Sequence, residues 1–272
     1  MFIYSIWDEI CQDISQNYNT ITVDRILEQV SETKWIVVKH DVETNVQKAL
    51  ELAKIEAKYN IKATYFVQAD LLEQNSEILH QIQAFGHEVT YHYDVLDANG
   101  GDYKKATDEF IQNIKLFEKY GFSVNTVCPH GNPVMIRDGW NSNKDFFRNK
   151  RVKDSFSNIL DMVVDLPNRV DYNYTYISDA GYGFKEIVNI SDNDIKNTGD
   201  IDIENHKELL KLINLKNNVI ISTHPHRWEK NSLIFMKNVY LFRVLRIIAR
   251  TLSKIPILKN IISRYYYLAK KI

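Results

Sequence analysis

An α/β fold on a parallel sheet is the architecture this sequence predicts, and three observations predict it. The chain has 272 residues, 44% of them apolar and 25% charged, which is enough for one large buried core of α/β-barrel size. Helical apolar periodicity alternates with short β-branched runs along the body, as in parallel α/β folds. Four of the strand-like runs end in polar, histidine-bearing segments, at His40, His92, His130 and His224. In parallel α/β sheets and barrels, ligands and catalysis gather where strands end and loops begin.

The elements follow in order. Trp35-Ile-Val-Val-Lys39 reads as a strand and leads into His40-Asp41-Val42-Glu43. A helix from about Val46 to Tyr59 has apolar positions at Ala49, Leu50, Ala53 and Ala57. The strand Ala63–Val67 comes next, then a helix near Ser76 to Phe85, then the strand Glu88–Tyr91, which ends in His92-Tyr93-Asp94. Tyr103 to Tyr120 is helical and Val124 to Val127 is a strand. Cys128-Pro129-His130-Gly131-Asn132-Pro133 follows as a turn with two prolines and a glycine. Later strands are expected at Thr175–Ile177 and Val219–Ser222, and a helix contains Leu209 and Leu210.

Composition removes several classes. Nine glycines and five prolines exclude collagen-like sequence, and 12% aromatic residues argue against disorder. Cys11 and Cys128 are too few to staple a fold of this length, and there is no CxxC spacing for thiolate-held zinc. A reducing, intracellular setting is expected. Met1 to Gln16 carries Asp8, Glu9 and Asp13 and no Lys or Arg, so it lacks the cationic start of a secretory signal and predicts a cytoplasmic protein.

Charge is segregated along the chain. The formal net charge is −1, yet from Lys230 onward there are ten Lys or Arg residues and no Asp or Glu, which leaves the body at −11. Such a basic arm suits an anionic surface. Arg243, Arg246 and Arg250 recur at helical spacing within Ser232 to Lys254, with Leu241, Leu245, Ile248 and Leu252 on the other side. The charges are too frequent for a membrane span, so an interfacial helix on an anionic membrane surface is one reading, and a helix packed on the acidic body the other. Ile255 to Ile262 and Tyr265-Tyr266-Tyr267 extend the apolar and aromatic content. Nucleic acid is not an expected partner, because no recognised binding motif accompanies the charge.

Neutral imidazole and carboxylate together suit zinc and similar divalent metals, and Asp41, Glu43, His92 and His130 supply that donor set. In an extended segment alternate residues share a side, so Asp41 and Glu43 face one site while His40 and Val42 point away. Two carboxylates could then divide the work, one holding metal and one taking a proton from water. A lone buried histidine is ordinarily structural, and a strand-end Asp ordinarily caps a helix. Recurrence at four strand ends is what favours a site.

The motifs Lys39-His40-Asp41-Val42-Glu43, Ala63-Thr64-Tyr65-Phe66-Val67, Gly86-His87-Glu88-Val89-Thr90-Tyr91-His92, Cys128-Pro129-His130-Gly131 and Thr223-His224-Pro225 together resemble the polysaccharide deacetylase superfamily. More narrowly they resemble its carbohydrate esterase family 4-like, HDVD-type branch associated with surface-polysaccharide biosynthesis. The resemblance spans Trp35 to Trp228. It implies a distorted (β/α) barrel, assigned to residues 1–229, and the charge pattern adds a basic amphipathic helical tail over 230–272. It also implies a hydrolase that removes acyl groups from carbohydrate with a divalent metal, most simply Zn2+.

By that resemblance Asp41 is the catalytic base or a metal ligand, Glu43 the metal carboxylate, and His92 a metal ligand. The family's second histidine falls on Leu96, so the remaining ligand is sought first at His130 and then at Asp94. His224 is the expected general acid, a task suited to a group titrating near neutrality. His40, Asp94, Asp179 and Trp228 are expected at the substrate, Asp179 either there or merely capping a turn. His226 joins Trp228 at the sugar pocket or in a plain loop. His80 and His206 read as surface residues and His87 as structural.

The function so implied is N-deacylation of a cell-surface polysaccharide precursor. The substrate is an N-acylated sugar in a lipid-linked or nucleotide-linked saccharide, met at the inner membrane face. The alternative is a noncatalytic glycan-binding module on a decayed site, for which Leu96 is the main support. A phosphate-ester hydrolase is a third reading.

Overall fold

The apolar run that starts at Trp35 becomes the centre of the sheet. In the computed structural model, which describes residues 2–29, 34–132, 135–169, 173–195 and 199–252, β2 (Trp35–Val42) is buried at every position. Burial on both faces is what a near-continuous apolar strand in a parallel sheet requires. The first strand, β1 (Asn19–Thr20), pairs with β2 as well. Then come β3 (Ala63–Val67), β4 (Glu88–Tyr93), β5 (Thr126–Pro129), β6 (Leu160–Asp161), β7 (Thr175–Ser178), β8 (Phe184–Ile187), β9 (Ile201–Ile203) and β10 (Asn218–Thr223).

The helices are α1 (Tyr4–Asn17), α2 (Ile26–Gln29), α3 (Val46–Lys58), α4 (Leu72–Ala84), α5 (Val95–Ala98), α6 (Tyr103–Lys119), α7 (Lys144–Arg148), α8 (Lys150–Ser155), α9 (Leu166–Arg169), α10 (His206–Leu215) and α11 (Ser232–Leu252). Their starts are written locally: the side chains of Asn45, Asp102 and Asn205 accept backbone N–H bonds from the first turns of α3, α6 and α10. Turn chemistry is explicit at Gly101, where φ is +83° and a Cβ would sit 2.5 Å from the Trp140 ring.

The sheet order is β6-β5-β4-β3-β2-β10-β7-β8-β9, parallel from β6 to β7 and antiparallel at β8 and β9. One apolar cluster joins Trp35, Phe66, Cys128, Leu160, Tyr176, Ile187 and Ile220, touching strands near both ends of that ladder, so the sheet wraps around a shared interior. Among the described residues no pairing joins β6 to β9. The expected barrel is therefore an α/β sheet wrapped without hydrogen-bonded closure.

The period-two alternation sorts the side chains. Ile36, Val38 and Val42 of β2, with Ala63, Tyr65, Val89, Tyr91, Val219 and Ile221, pack in the outer cluster with the helices, α1 contributing Ile6, Trp7, Ile10 and Ile14. Trp35 and Val37 go inward, and the same face continues through Lys39 and Asp41. Parallel pairing puts the carboxyl ends of β2, β4, β5, β7 and β10 side by side, with His40 opposite Thr223 and His92 opposite Cys128. That shared rim carries the polar cluster.

The basic stretch begins as α11, whose described side chains run to Val244. Phe235 packs on Phe2 and Tyr182, the Phe242 ring lies tilted 5.1 Å from that of Tyr182, and Asn238 donates to Glu229 at 2.6 Å. Facing away, Leu233, Met236 and Tyr240 are 78%, 63% and 72% exposed. No described helix is long and apolar enough to cross a membrane. The expectations for Ile255 to Ile262 and Tyr265 to Tyr267 lie outside the described residues, as do the side chains of Arg246 and Arg250.

Candidate active site

Glu43, just past β2, His92 from β4 and His130 just past β5 converge, with ligand atoms all within 4.8 Å of one another. Glu43 Oε1 lies 3.0 Å from His130 Nε2 and 3.9 Å from His92 Nε2. His92 Nδ1 is 3.0 Å from the Cys128 carbonyl oxygen. A carbonyl only accepts, so Nδ1 carries the proton and Nε2 is left with its lone pair toward Glu43. That Nε2 is buried and has no hydrogen-bond partner among the described residues. Burial holds the His92 pKa below the usual imidazole range, which keeps the ring neutral and able to ligate.

Asp41 lies beside this triad. Burial by itself would raise its pKa, but Lys39, His92 and His224 hold the carboxyl well below the usual range. The Lys39 ammonium reaches both oxygens, at 2.7 and 2.9 Å, and the Cys128 sulfur at 3.0 Å, over the Phe66 ring. Lys39 is itself buried, and Asp41 keeps it charged against the desolvation that would favour the neutral amine. Asp41, His92 and Cys128 also sit close enough to share an ion. Lys39 holds both Asp41 oxygens, so the grouping better placed to hold an ion is Glu43, His92 and His130. Burial by itself would raise the Glu43 pKa, but His130, His92 and His224 together hold it well below the usual range, so Glu43 too is ionised.

His224, just past β10, completes the cluster. Its Nε2 lies 3.9 Å from Asp41 Oδ2 and 3.8 Å from Glu43 Oε1. Its Nδ1 is 2.6 Å from Asp179 Oδ1, and its backbone N–H donates to Asp179 Oδ2. Arg227 donates to the Asp179 carboxylate and to its carbonyl. Burial would raise the Asp179 pKa, yet Arg227 and His224 hold it low. Asp179 is fully buried. It orients His224 and has no open face for substrate, which corrects its expected place at the sugar.

Two other expectations are corrected. His40 points outward as the alternation requires, 0% exposed, with Nδ1 2.6 Å from Thr223 Oγ1 and Nε2 2.7 Å from Glu56, its ring stacked on Tyr65. It ties β2 to α3 and is closed to substrate. Trp228 is likewise 0% exposed, edge-on to Phe2 and Trp7 in the core. Asp94, half-buried before α5, is not in the donor groups that converge with Glu43; its charge acts on Tyr91 of β4 and on Glu109 of α6. His226 does stay at the rim, its ring 5.8 Å from His224, and burial pushes its pKa down to about 3. His87 accepts the Ala63 N–H and faces the Ala53 carbonyl, joining β3 to α3. Leu96 is buried in the core.

The sequence reading missed Lys39, Arg227 and the Asp97 network. A lysine inside an otherwise apolar central strand was the available signal for Lys39, because a buried ammonium demands a buried partner. Arg227 and Asp97 had no comparable signal.

No family model matches the chain, and no curated protein matches it. Solved structures do. One is a CE4 family pseudoenzyme from Bacillus anthracis, with 12% identity, 77% of this chain and 60% of that chain covered, and a TM-score of 0.42. Another is a family 4 carbohydrate esterase from Streptomyces lividans, with 12% identity, 77% and 87% covered, and a TM-score of 0.44. The catalytic domain of a peptidoglycan N-acetylglucosamine deacetylase from Eubacterium rectale gives 15% identity, 78% and 86% covered, and a TM-score of 0.43. The chain thus spans less than two thirds of the Bacillus anthracis protein. At these values the likeness fixes neither chemistry nor substrate, and the side chains have to supply both.

Proposed function

We propose that the chain is a metal-dependent carbohydrate N-deacylase. Its substrate is an N-acylated sugar of a lipid-linked or nucleotide-linked precursor of a cell-surface polysaccharide. The observation that carries this reading is the meeting, at one rim, of a compact Glu43–His92–His130 donor set with an ionised Asp41 and an Asp179-oriented His224. The buried, unpartnered Nε2 of His92 fits a cation held there. Two imidazoles and one carboxylate suit Zn2+ and leave room for water and substrate. When bound, such an ion makes water acidic and polarises the acyl oxygen.

The protein's own groups do the remaining work. Asp41 is assigned the proton of the attacking water, a role in which one of its oxygens gives up its Lys39 bond. His224 gives a proton from Nε2 to the departing amine, and Asp179 steadies the imidazolium that precedes that transfer. Residues 1–229 form the catalytic body in this reading, and 230–272 a tail that rests on the anionic inner face of the membrane. Support for the tail comes from the outward apolar side chains of α11 beside Lys237 and Arg243, with no acid after Glu229.

The test is metal content by elemental analysis of protein purified without chelator, beside His92→Ala, followed by acetate release from N-acetylated sugar nucleotides and lipid-linked sugars. Stoichiometric zinc lost in the variant, with acetate released by the wild type, is the expected result. A wild type that takes up no zinc even when it is in excess would move the assignment to a glycan-binding module. The argument for that module was Leu96, and a donor set that uses His130 does without that position.

A further inference from the structure

Resting on the metal reading above, we infer that Asn143 and Asp97 form a clamp that holds His130 in ligating position, the device by which this chain does without a histidine at position 96. His130 comes from a loop rather than from a strand, so its side-chain direction depends on what fixes its backbone. Both of its peptide groups are fixed. The His130 N–H donates to the Tyr93 carbonyl at 2.7 Å, one residue past His92, and the His130 carbonyl accepts from Asn143 Nδ2 at 2.9 Å.

Asn143 is 0% exposed, and its amide is committed on every side. Nδ2 also donates to Asp97 Oδ2 at 3.0 Å, while Oδ1 accepts the Asp97 N–H at 2.9 Å. Asp97 is equally occupied: Arg137 grips it through Nε and Nη2 at 2.7 and 2.6 Å, and Trp140 Nε1 donates to it at 2.7 Å. Arg137 Nη2 reaches on to the Asn132 carbonyl at 2.9 Å, two residues beyond His130. A buried carboxylate with four donors and a buried amide with three bonds form a rigid polar block, since breaking any bond strands a desolvated group.

The block sits against Leu96 by sequence. The residue that follows the missing histidine anchors the segment that delivers the replacement ligand. Neither Asn143 nor Asp97 touches the expected ion position, so both are positioning residues. Outer partners of metal ligands ordinarily govern affinity by 10- to 100-fold.

The test uses the full chain and zinc alone, with affinity read by competition against a chromogenic chelator and apo-protein stability read by thermal melting. Asn143→Ala and Asp97→Asn should each weaken zinc binding by about 10- to 100-fold. Asn143→Gln, which restores the amide, should recover part of that loss. Leu209→Ala, a core truncation in α10, should lower the melting temperature and leave zinc affinity at the wild-type value. Wild-type zinc affinity in a folded Asn143→Ala would overturn the clamp while leaving the metal site intact. Failure of the wild type to take up zinc would overturn the metal reading and the clamp with it.

Discussion

His224 Nδ1 lies 2.6 Å from Asp179 Oδ1, and the same carboxylate receives the His224 backbone N–H at 2.8 Å. One side chain thus fixes both the tautomer and the ring orientation of its partner, leaving His224 Nε2 toward Asp41 and Glu43. Asp179→Asn keeps the size and removes the charge that would stabilise the imidazolium. Steady-state kinetics on an N-acetylated sugar should show kcat down by roughly 10²- to 10⁴-fold with KM little changed. An unchanged kcat would remove His224 from proton transfer.

Lys39 and Asp41 are a buried ion pair, and removing one partner of such a pair strands the other. Lys39→Met should cost about 3–5 kcal/mol in urea unfolding. Lys39→Met combined with Asp41→Leu should recover much of that loss, because neither partner is then left buried and unpaired. A single variant as stable as the wild type would mean that water reaches the pair.

Glu88, at the amino end of β4, accepts bonds from Thr64, Thr126 and the Asp24 N–H, and burial together with the Asp24 charge raises its pKa to about 7. The folded state therefore holds the proton more tightly than the unfolded chain, whose carboxyl titrates near 4.3. The resulting stabilisation is complete below that lower value and is lost as pH rises through about 7. Thermal melts between pH 5 and 8 should show falling stability in the wild type and a flatter profile in Glu88→Gln. Equal slopes would refute the assignment.

Trp228 sits among Phe2, Trp7 and Phe184. Trp228→Ala should destabilise by about 3–5 kcal/mol through the cavity it leaves, with KM unchanged in the folded fraction. A raised KM at unchanged melting temperature would return the indole to the sugar pocket.

The exposed face of α11 predicts lipid binding. The full chain should co-sediment with vesicles that contain phosphatidylglycerol and remain free of pure phosphatidylcholine vesicles, and Met236→Glu with Tyr240→Glu should release it. Binding undiminished in that double variant would place the contact elsewhere on the molecule.

Much of this was legible from residue order alone, for reasons the residues make plain. The period of two in Lys39-His40-Asp41-Val42-Glu43 separates Asp41 and Glu43 from His40, and the structure keeps that separation. His40 was nevertheless expected at the substrate, because a motif names residues without saying which way each points. The strands read at 63–67 and 88–91 and the helix read at 103–120 were visible through apolar period, and β4 runs two residues further, to Tyr93. By contrast, α1, β6 and the β8–β9 hairpin were not: two- to four-residue strands carry too little pattern, and α1 is identified by what it packs on. Trp228 and Asp97 were illegible for the same reason, since burial and long-range partners are properties of the assembled chain.

Between the rim that bears His92 and the end that bears Glu88 lies the Phe66 ring with the Lys39 ammonium over it, among Val37, Tyr176 and Ile220. That layer fills the middle of the wrapped sheet, and beside it on β4 Thr90 donates to the Thr126 carbonyl. Glu88 and Asp41 thus lie toward opposite ends of their strands, and Asp24, not Asp41, is the acid whose charge acts on Glu88. A change that retunes the pH response of stability at Glu88 should leave the pH–rate profile at Asp41 and His224 where it was, so the molecule's tolerance of acid and its chemistry can be altered one at a time.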